Sequence, residues 1–461
     1  MNEVKTIFAS PGALRAKCRR LYGCRGGRMP NIDAIRGLKD LFVSAINSGT
    51  TTVEEFHAAI ARRPFEALEL DPATRVPATA VRMLHDIISG SVYWGLRSLM
   101  ELAGDAADWA LTPLEQAQPA EEAPLPAALD LAIGALNGFM GDQLERNRNA
   151  LRTRMEFRQQ GRTVALDPDT LRRTYPGAGR KLAVFVHGLS CNEQMWRFYA
   201  QENYGDHDTT YGSMLERELG YTPLYLRYNS GLHVSENGAL LAEEMEELVN
   251  AWPVAVNEIV LVGHSMGGLV ARSACHQGKQ RRNGWIGSVR HIFCLGTPHL
   301  GAPLEKLGNV MGWVLNVSDL TRPIANIVNG RSDGIKDLRF GYLVEEDWRG
   351  RDADALLEDN RHDIPFLDSA AHYFVAATVT ESPSDPLGFI LGDMLVRFPS
   401  ALGRGVQPTR RVSFRAVNKS HVRMTTHLRL LNHPAVYDQI RFWLKPATAA
   451  LTTLGEAEST G

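Results

Sequence analysis

The stretch that decides the fold is Ile259-Val260-Leu261-Val262-Gly263-His264-Ser265-Met266-Gly267-Gly268. Its β-branched apolar run reads as a buried strand, breaks into G-x-S-x-G and resumes as a helical pattern from Leu269 to His276. A strand that turns at once into a helix strains the corner residue. Side chains two positions to either side would obstruct so sharp a turn, and glycines stand at both places. Ser265 is therefore expected to stand exposed at a helix N-terminus, where the backbone N–H of Met266 can donate to a developing oxyanion.

Two further segments fit the same frame. Lys181-Leu-Ala-Val-Phe-Val186 reads as a fully buried strand that runs into His187-Gly188-Leu189, where an α/β-hydrolase places its second oxyanion donor. The donor expected here is the Leu189 N–H. Gly188 lets the chain turn beneath a substrate carbonyl, and His187 is expected to brace the loop by hydrogen bonding. His291-Ile-Phe-Cys-Leu295 is another apolar strand, followed by Gly296-Thr-Pro-His-Leu-Gly-Ala-Pro303, and Tyr373-Phe-Val-Ala-Ala-Thr-Val379 is a third.

A serine is a poor nucleophile until a base takes its proton, so a histidine must reach Ser265 and a carboxylate must orient that histidine. In this fold the order along the chain is Ser, then Asp or Glu, then His. The chain has 14 histidines. The base should follow the last strand and precede the last helix, which the amphipathic run Pro434 to Leu444 supplies. His421, His427 and His433 satisfy that order, His421 close behind a strand expected at Val412 to Val417 and His433 at the cap of the final helix.

The segment His427-Leu-Arg-Leu-Leu-Asn-His-Pro434-Ala-Val-Tyr437 resembles the H-x-x-L-L-x-x-P-x-V ending of a lipase branch of the α/β-hydrolases that includes the GPI inositol-deacylase-like proteins. That resemblance implies His427 as the catalytic base. The same family reads G-D-G-x-V and then S-A-L-G around its acid. Gly392-Asp393-Met394-Leu395-Val396 and Ser400-Ala401-Leu402-Gly403 carry that pattern here, with Met394 where a glycine is common, and imply Asp393. Asp385, in Ser-Pro-Ser-Asp-Pro, is the other acid in the region. The elbow, the Gly296 to Pro303 run and Arg227-Tyr-Asn-Ser-Gly-Leu-His-Val-Ser-Glu-Asn-Gly238 match as well, so the resemblance spans about residues 160 to 445.

With 461 residues, 44% of them hydrophobic, the chain can bury a large core and has room for two domains. A formal net charge of −2 argues against a nucleic-acid partner. Five scattered cysteines (Cys18, Cys24, Cys191, Cys275 and Cys294) do not suggest a disulfide framework or a zinc site, so a reducing cytoplasm is expected, with no metal and no cofactor. No run of eighteen apolar residues offers a membrane span.

Residues 1–31 read as a basic, disordered tail (Lys5, Arg15, Lys17, Arg19, Arg20, Arg25, Arg28) without the apolar core of a signal peptide, and Met29 is an alternative start. From residue 32 to 160 the pattern is helical: Ile35, Leu38, Leu41 and Phe42 share a face, and Thr52 with Glu55 forms a capping box. An Ala/Glu/Pro-rich linker spans Thr112 to Pro126. A last helix is expected from Ala127 to Arg158, with Gly134, Gly138 and Gly141 permitting close packing. Polar faces with Asp86, Glu101, Asp105 and Asp108, rather than a lysine-rich stripe, point to a layer packed on the hydrolase or a dimer surface more than to peripheral membrane contact. The hydrolase domain is expected over 161–446, with a helical cap insertion over about 304–371 and a disordered tail at 447–461. The apolar opening of that insertion, centred on Trp313, is a candidate substrate-binding surface, and core packing is the alternative.

The fold class expected is α/β: a doubly wound, mostly parallel α/β-hydrolase sheet with an N-terminal helical region and a cap. The function expected is hydrolysis of carboxylic esters, lipid or medium-chain acyl esters by resemblance, by a Ser265–Asp393–His427 triad with Leu189 and Met266 as oxyanion donors. Acyl transfer by the same triad and a non-catalytic binding module on the same fold are the alternatives.

Overall fold

The computed structural model describes residues 127–149, 151–302, 331–351, 359–382, 392–393, 395–403 and 418–445. The expectations for the basic tail, the helical layer up to Pro126, Trp313, Asp385, the strand at Val412 to Val417 and the C-terminal tail fall outside these residues.

The described residues build one eight-stranded sheet. Its strands are β1 (Glu156–Gln159), β2 (Arg162–Thr163), β3 (Lys181–Val186), β4 (Tyr221–Arg227), β5 (Glu258–His264), β6 (Val289–Leu295), β7 (Ala371–Ala377) and β8 (Lys419–Val422), in the spatial order β2-β1-β4-β3-β5-β6-β7-β8. From β4 through β8 all neighbours are parallel, and β1 adds to the β4 edge antiparallel, Phe157 opposite Leu226. The central strands are buried on both faces, as continuous Val/Ile/Leu runs require in a parallel sheet covered on two sides.

Side chains alternate between two cores. Leu182, Val184, Leu261, Ile292 and Phe374 face one layer, formed by α3 (Val234–Ala251) and α4 (Met266–Arg281). Ala183, Phe185, Val262, Phe293 and Val375 face the other, formed by α2 (Tyr211–Leu219) and α5 (Pro434–Leu444). Helix α3 buries Val234, Leu241, Met245 and Leu248, a stripe at helical spacing. The helix expected after Ser265 runs longer than its apolar core, to Arg281, and α5 has the bounds read from the sequence.

One expectation is corrected. The helix α1 (Ala127–Arg146) stops twelve residues before Arg158, and Glu156–Gln159 is a strand. The turn after Arg146 places Arg148 at φ 49°, and the Asn149 side chain accepts from the Leu151 N–H at 2.8 Å. Nothing in the local sequence of residues 156–159 demands a strand; the open edge of β4 does, because pairing satisfies backbone groups that a solvent-exposed helix end would leave to water. The sheet therefore begins ahead of the boundary expected at residue 161.

Candidate active site

Strand β5 delivers Ser265 into an unfavourable conformation, φ 53° and ψ −125°, as the cap of α4. The corner is closed by the Ser265 N–H, which donates to the Leu295 carbonyl at 2.8 Å. Glycine is required around it for approach rather than flexibility. A methyl group on Gly263 would press into Gly268, and one on Gly267 would collide with the Val186 and His187 carbonyls at the end of β3. Strain of this kind persists only where the surrounding structure fixes it.

Strand β3 ends in the loop expected to hold the second oxyanion donor. A Cβ on Gly188 would stand 3.1 Å from Ser265 Cβ, so loop and serine are in contact. His187 is fully buried; its Nε2 accepts from the Tyr228 N–H at 3.2 Å, its Nδ1 donates to the Gly188 carbonyl at 2.9 Å, and its ring stacks on Tyr228. Burial pushes its pKa down to about 3, so it is a neutral brace, as expected. The Gly188 N–H is directed at the Met195 sulfur, 3.4 Å away. Among the described residues no hydrogen bond uses the Leu189 N–H. Met266, first residue of α4, has an N–H with no acceptor inside the helix.

His427 and Asp393 are both buried. The His427 Nδ1 lies 2.7 Å from Asp393 Oδ2, which leaves Nε2 with the lone pair. Asp393 Oδ1 accepts from the Leu395 and Val396 N–H groups at 3.0 and 2.7 Å, and the Asp393 carbonyl accepts from the His427 N–H at 3.0 Å. Both carboxylate oxygens are thus engaged and aimed. Gly392 at φ 61° begins the turn, where a side chain would also collide with the Val396 carbonyl. The His427 ring lies against Gly296: a Cβ there would stand 3.0 Å from Cε1. This brings it to the carboxyl end of β6, the end to which Ser265 is tied through Leu295.

His264, which the sequence reading passed over, connects the two. Its Nε2 donates to the His427 carbonyl at 3.1 Å, and the two rings are 4.7 Å apart. Burial, then the neighbouring His427, lowers its pKa to about 3. Its signal was in plain view, adjacent to the serine. The other histidine candidates have structural partners: His421 bonds Thr378 at 2.8 Å, and His433 caps α5 by accepting from the Ala435 N–H. Among the described residues no group of three His, Cys, Asp or Glu side chains could hold a metal ion.

Comparison with known proteins adds one family match, over part of the chain. Residues 181–348 fit the model of the PGAP1-like alpha/beta domain, a segment holding Leu189, Ser265 and Met266 and ending before Asp393 and His427. The chain is an α/β-hydrolase resembling the PGAP1-like branch. No curated protein matches it. Among solved structures, it is similar to the mature form of a Bacillus licheniformis lipase: 18% identity, 58% of this chain and 92% of that one, TM-score 0.37. A Pyrococcus furiosus esterase gives 13% identity over 57% of this chain and 80% of that one, TM-score 0.31. A metagenomic carboxyl esterase gives 14% over 73% and 98%, TM-score 0.33. At such scores the fold rests on the strand order and the elbow.

Proposed function

We propose that this α/β-hydrolase cleaves carboxylic esters through an acyl-enzyme. The observation that carries the reading is the buried Asp393–His427 pair, with one carboxylate oxygen on the imidazole and the other on two backbone N–H groups, at the same end of β6 to which the strained Ser265 is tied. Ser265 Oγ attacks the ester carbonyl carbon while its proton passes to His427 Nε2, and the carbonyl π pair moves onto oxygen. The N–H groups of Leu189 and Met266 face that oxyanion. Collapse breaks the bond to the alkoxide, which leaves with the proton from His427. Water then gives its proton to His427, attacks the acyl carbon, and the second collapse frees the carboxylic acid and returns the proton to Ser265. Asp393 fixes the imidazole and stabilises its cationic form.

The solved relatives named above are described as a lipase and esterases, and we take a lipid or medium-chain acyl ester as the substrate class. Trp313, outside the described residues, is the proposed cap residue over the acyl chain. A Trp313→Ala change should then lower kcat/KM for long-chain esters by about 1–3 kcal/mol and spare acetates. We place the protein in a reducing compartment, the cytoplasm, in keeping with free thiols at Cys191, Cys275 and Cys294. The test of the function is labelling by a fluorophosphonate followed by turnover of a graded series of p-nitrophenyl esters. A wild-type protein that neither labels nor turns over any ester would overturn it.

A further inference from the structure

The helix α1 lies upstream of the segment that matches the family model, yet it presses on the oxyanion loop. Besides Leu136 and Leu144, the residues it buries are polar or small: Asp130, Gly134, Asn137, Gly138, Gly141 and Asp142, the first five at three- and four-residue spacing. A methyl group on Gly138 would overlap the backbone N and Cα of Ser190, the residue after Leu189, and one on Gly134 would stand 3.1 Å from the Cys191 carbonyl. Ser190 itself is held at φ 58°, a conformation that costs energy in a non-glycine residue, and its N–H donates to Ser230 Oγ at 3.0 Å.

The far end of the same loop is clamped by charge. Arg227 at the end of β4 is buried between Asp130 of α1 and Glu193 of the loop. Its Nη1 bonds Asp130 Oδ1 at 2.6 Å, its Nη2 also reaches Asp130, and Nε and Nη2 bond Glu193 at 2.6 and 2.7 Å. The Asn192 side chain donates to the Asp130 carbonyl at 3.0 Å. A kink at Met140 frees the carbonyls of Gly138 and Phe139, and Ser332 takes both, with its Oγ and its N–H. The loop's own bonds lie at its two ends, the His187 ring on the Gly188 carbonyl and the Gly188 N–H on the Met195 sulfur at one, and Asn192 accepting from the Gln194 and Met195 N–H groups at the other.

We propose that α1 is the positioning element of the oxyanion site. Gly138 sets the strained Ser190 peptide, and Asp130, through Arg227 and Glu193, fixes the far end, so that the Leu189 N–H points at the reacting carbonyl. This rests on the ester-hydrolase reading given above. It assigns function to a helix outside the family match and to residues that never touch substrate.

The test is Gly138→Ala and, separately, Asp130→Asn in the full chain, assayed with an oxygen ester and its thionoester. A hole built for an oxyanion discriminates against sulfur, and a displaced donor discriminates less. One oxyanion donor is worth about 10²–10³ in kcat, so a displaced one should cost Gly138→Ala about tenfold to a hundredfold and Asp130→Asn less. KM should stay within about threefold, and the oxygen-to-sulfur preference should shrink in both. The downfield proton resonance of the His427–Asp393 bond should stay in place, since Asp393 is held by the Leu395 and Val396 N–H groups and not by α1. Variants that fall in melting temperature but keep wild-type kcat and wild-type preference would overturn the proposal and leave α1 a packing element. If Gly138→Ala does not fold, Asp130→Asn decides by the same readouts. A wild-type protein inert toward both esters and toward fluorophosphonate would instead sink the underlying reading, a distinguishable result.

Discussion

The two halves of the site proposed around Ser265 are built in different ways. On the proposed acid–base side, Asp393 and His427 hold each other: the carboxylate bonds the imidazole, the Asp393 carbonyl bonds the His427 N–H, and the turn at Gly392 supplies the remaining donors. On the proposed oxyanion side, the loop from Gly188 to Glu193 adds to its local bonds partners from elsewhere, the Ser230 hydroxyl, Arg227 of β4 and the glycines of α1. The first arrangement closes on itself through charge-assisted hydrogen bonds. The second depends on a remote helix, so distant substitutions should reach it and leave the acid–base pair untouched.

The largest expected effect silences both sides at once. Ser265→Ala should lower kcat by about 10³-fold or more with an unchanged circular dichroism spectrum, because a single hydroxyl carries the covalent route and little of the stability. Near-normal turnover would remove the nucleophile from the account. His427→Ala should be almost as damaging, and Asp393→Asn somewhat less, since it misdirects the imidazole without removing it. His421→Ala and His433→Ala should stay within about threefold of wild type, as neither ring joins the Asp393–His427 pair. A crippled His421 variant would break the assignment of the base.

Gly392→Ala sharpens the comparison. The position has φ 61° and its added methyl group would meet the Val396 carbonyl, so the change should cost about 1–3 kcal/mol in stability. Turnover should fall with it, because the displaced turn carries both N–H groups that aim Asp393. Urea denaturation and kcat measured together test this, and loss of stability with full activity would show that the pair tolerates a misplaced turn.

A smaller effect is shared by both sides. His187 in the oxyanion loop and His264 beside His427 are each held neutral by burial, with pKa values lowered to about 3, and His372 at the far end of β7 follows at about 4. An unfolded histidine titrates near 6.5. The depressed folded values therefore mean that stability is fully present above pH 6.5 and is lost as pH falls toward 3. Each residue contributes a slope of about 1.4 kcal/mol per pH unit within that window. Urea midpoints at pH 7.5, 5.5 and 4.5 should show the decline, and a His372→Phe variant should decline less steeply. An unchanged slope would mean that His372 takes up its proton in the folded state.

What the sequence determined by itself was local. The elbow was legible because a strand, two glycines and a helix follow one another without interruption, and the demands of so sharp a corner are met by neighbours in the chain. The apolar runs of β3, β5 and β6 declared a sheet covered on both faces, and the periodicity of α5 gave its two ends. The proposed acid and base were named by resemblance, since three histidines met the order along the chain, and the bond between His427 and Asp393 joins residues 34 apart in sequence. Only the tertiary structure decided that Glu156–Gln159 is a strand, because the demand came from the open edge of β4. The role of α1 was equally hidden. The Asp, Asn and Gly that this helix buries beside Leu136 and Leu144 do not announce a role, and their meaning appears only when Arg227, Glu193 and Ser190 are brought against them.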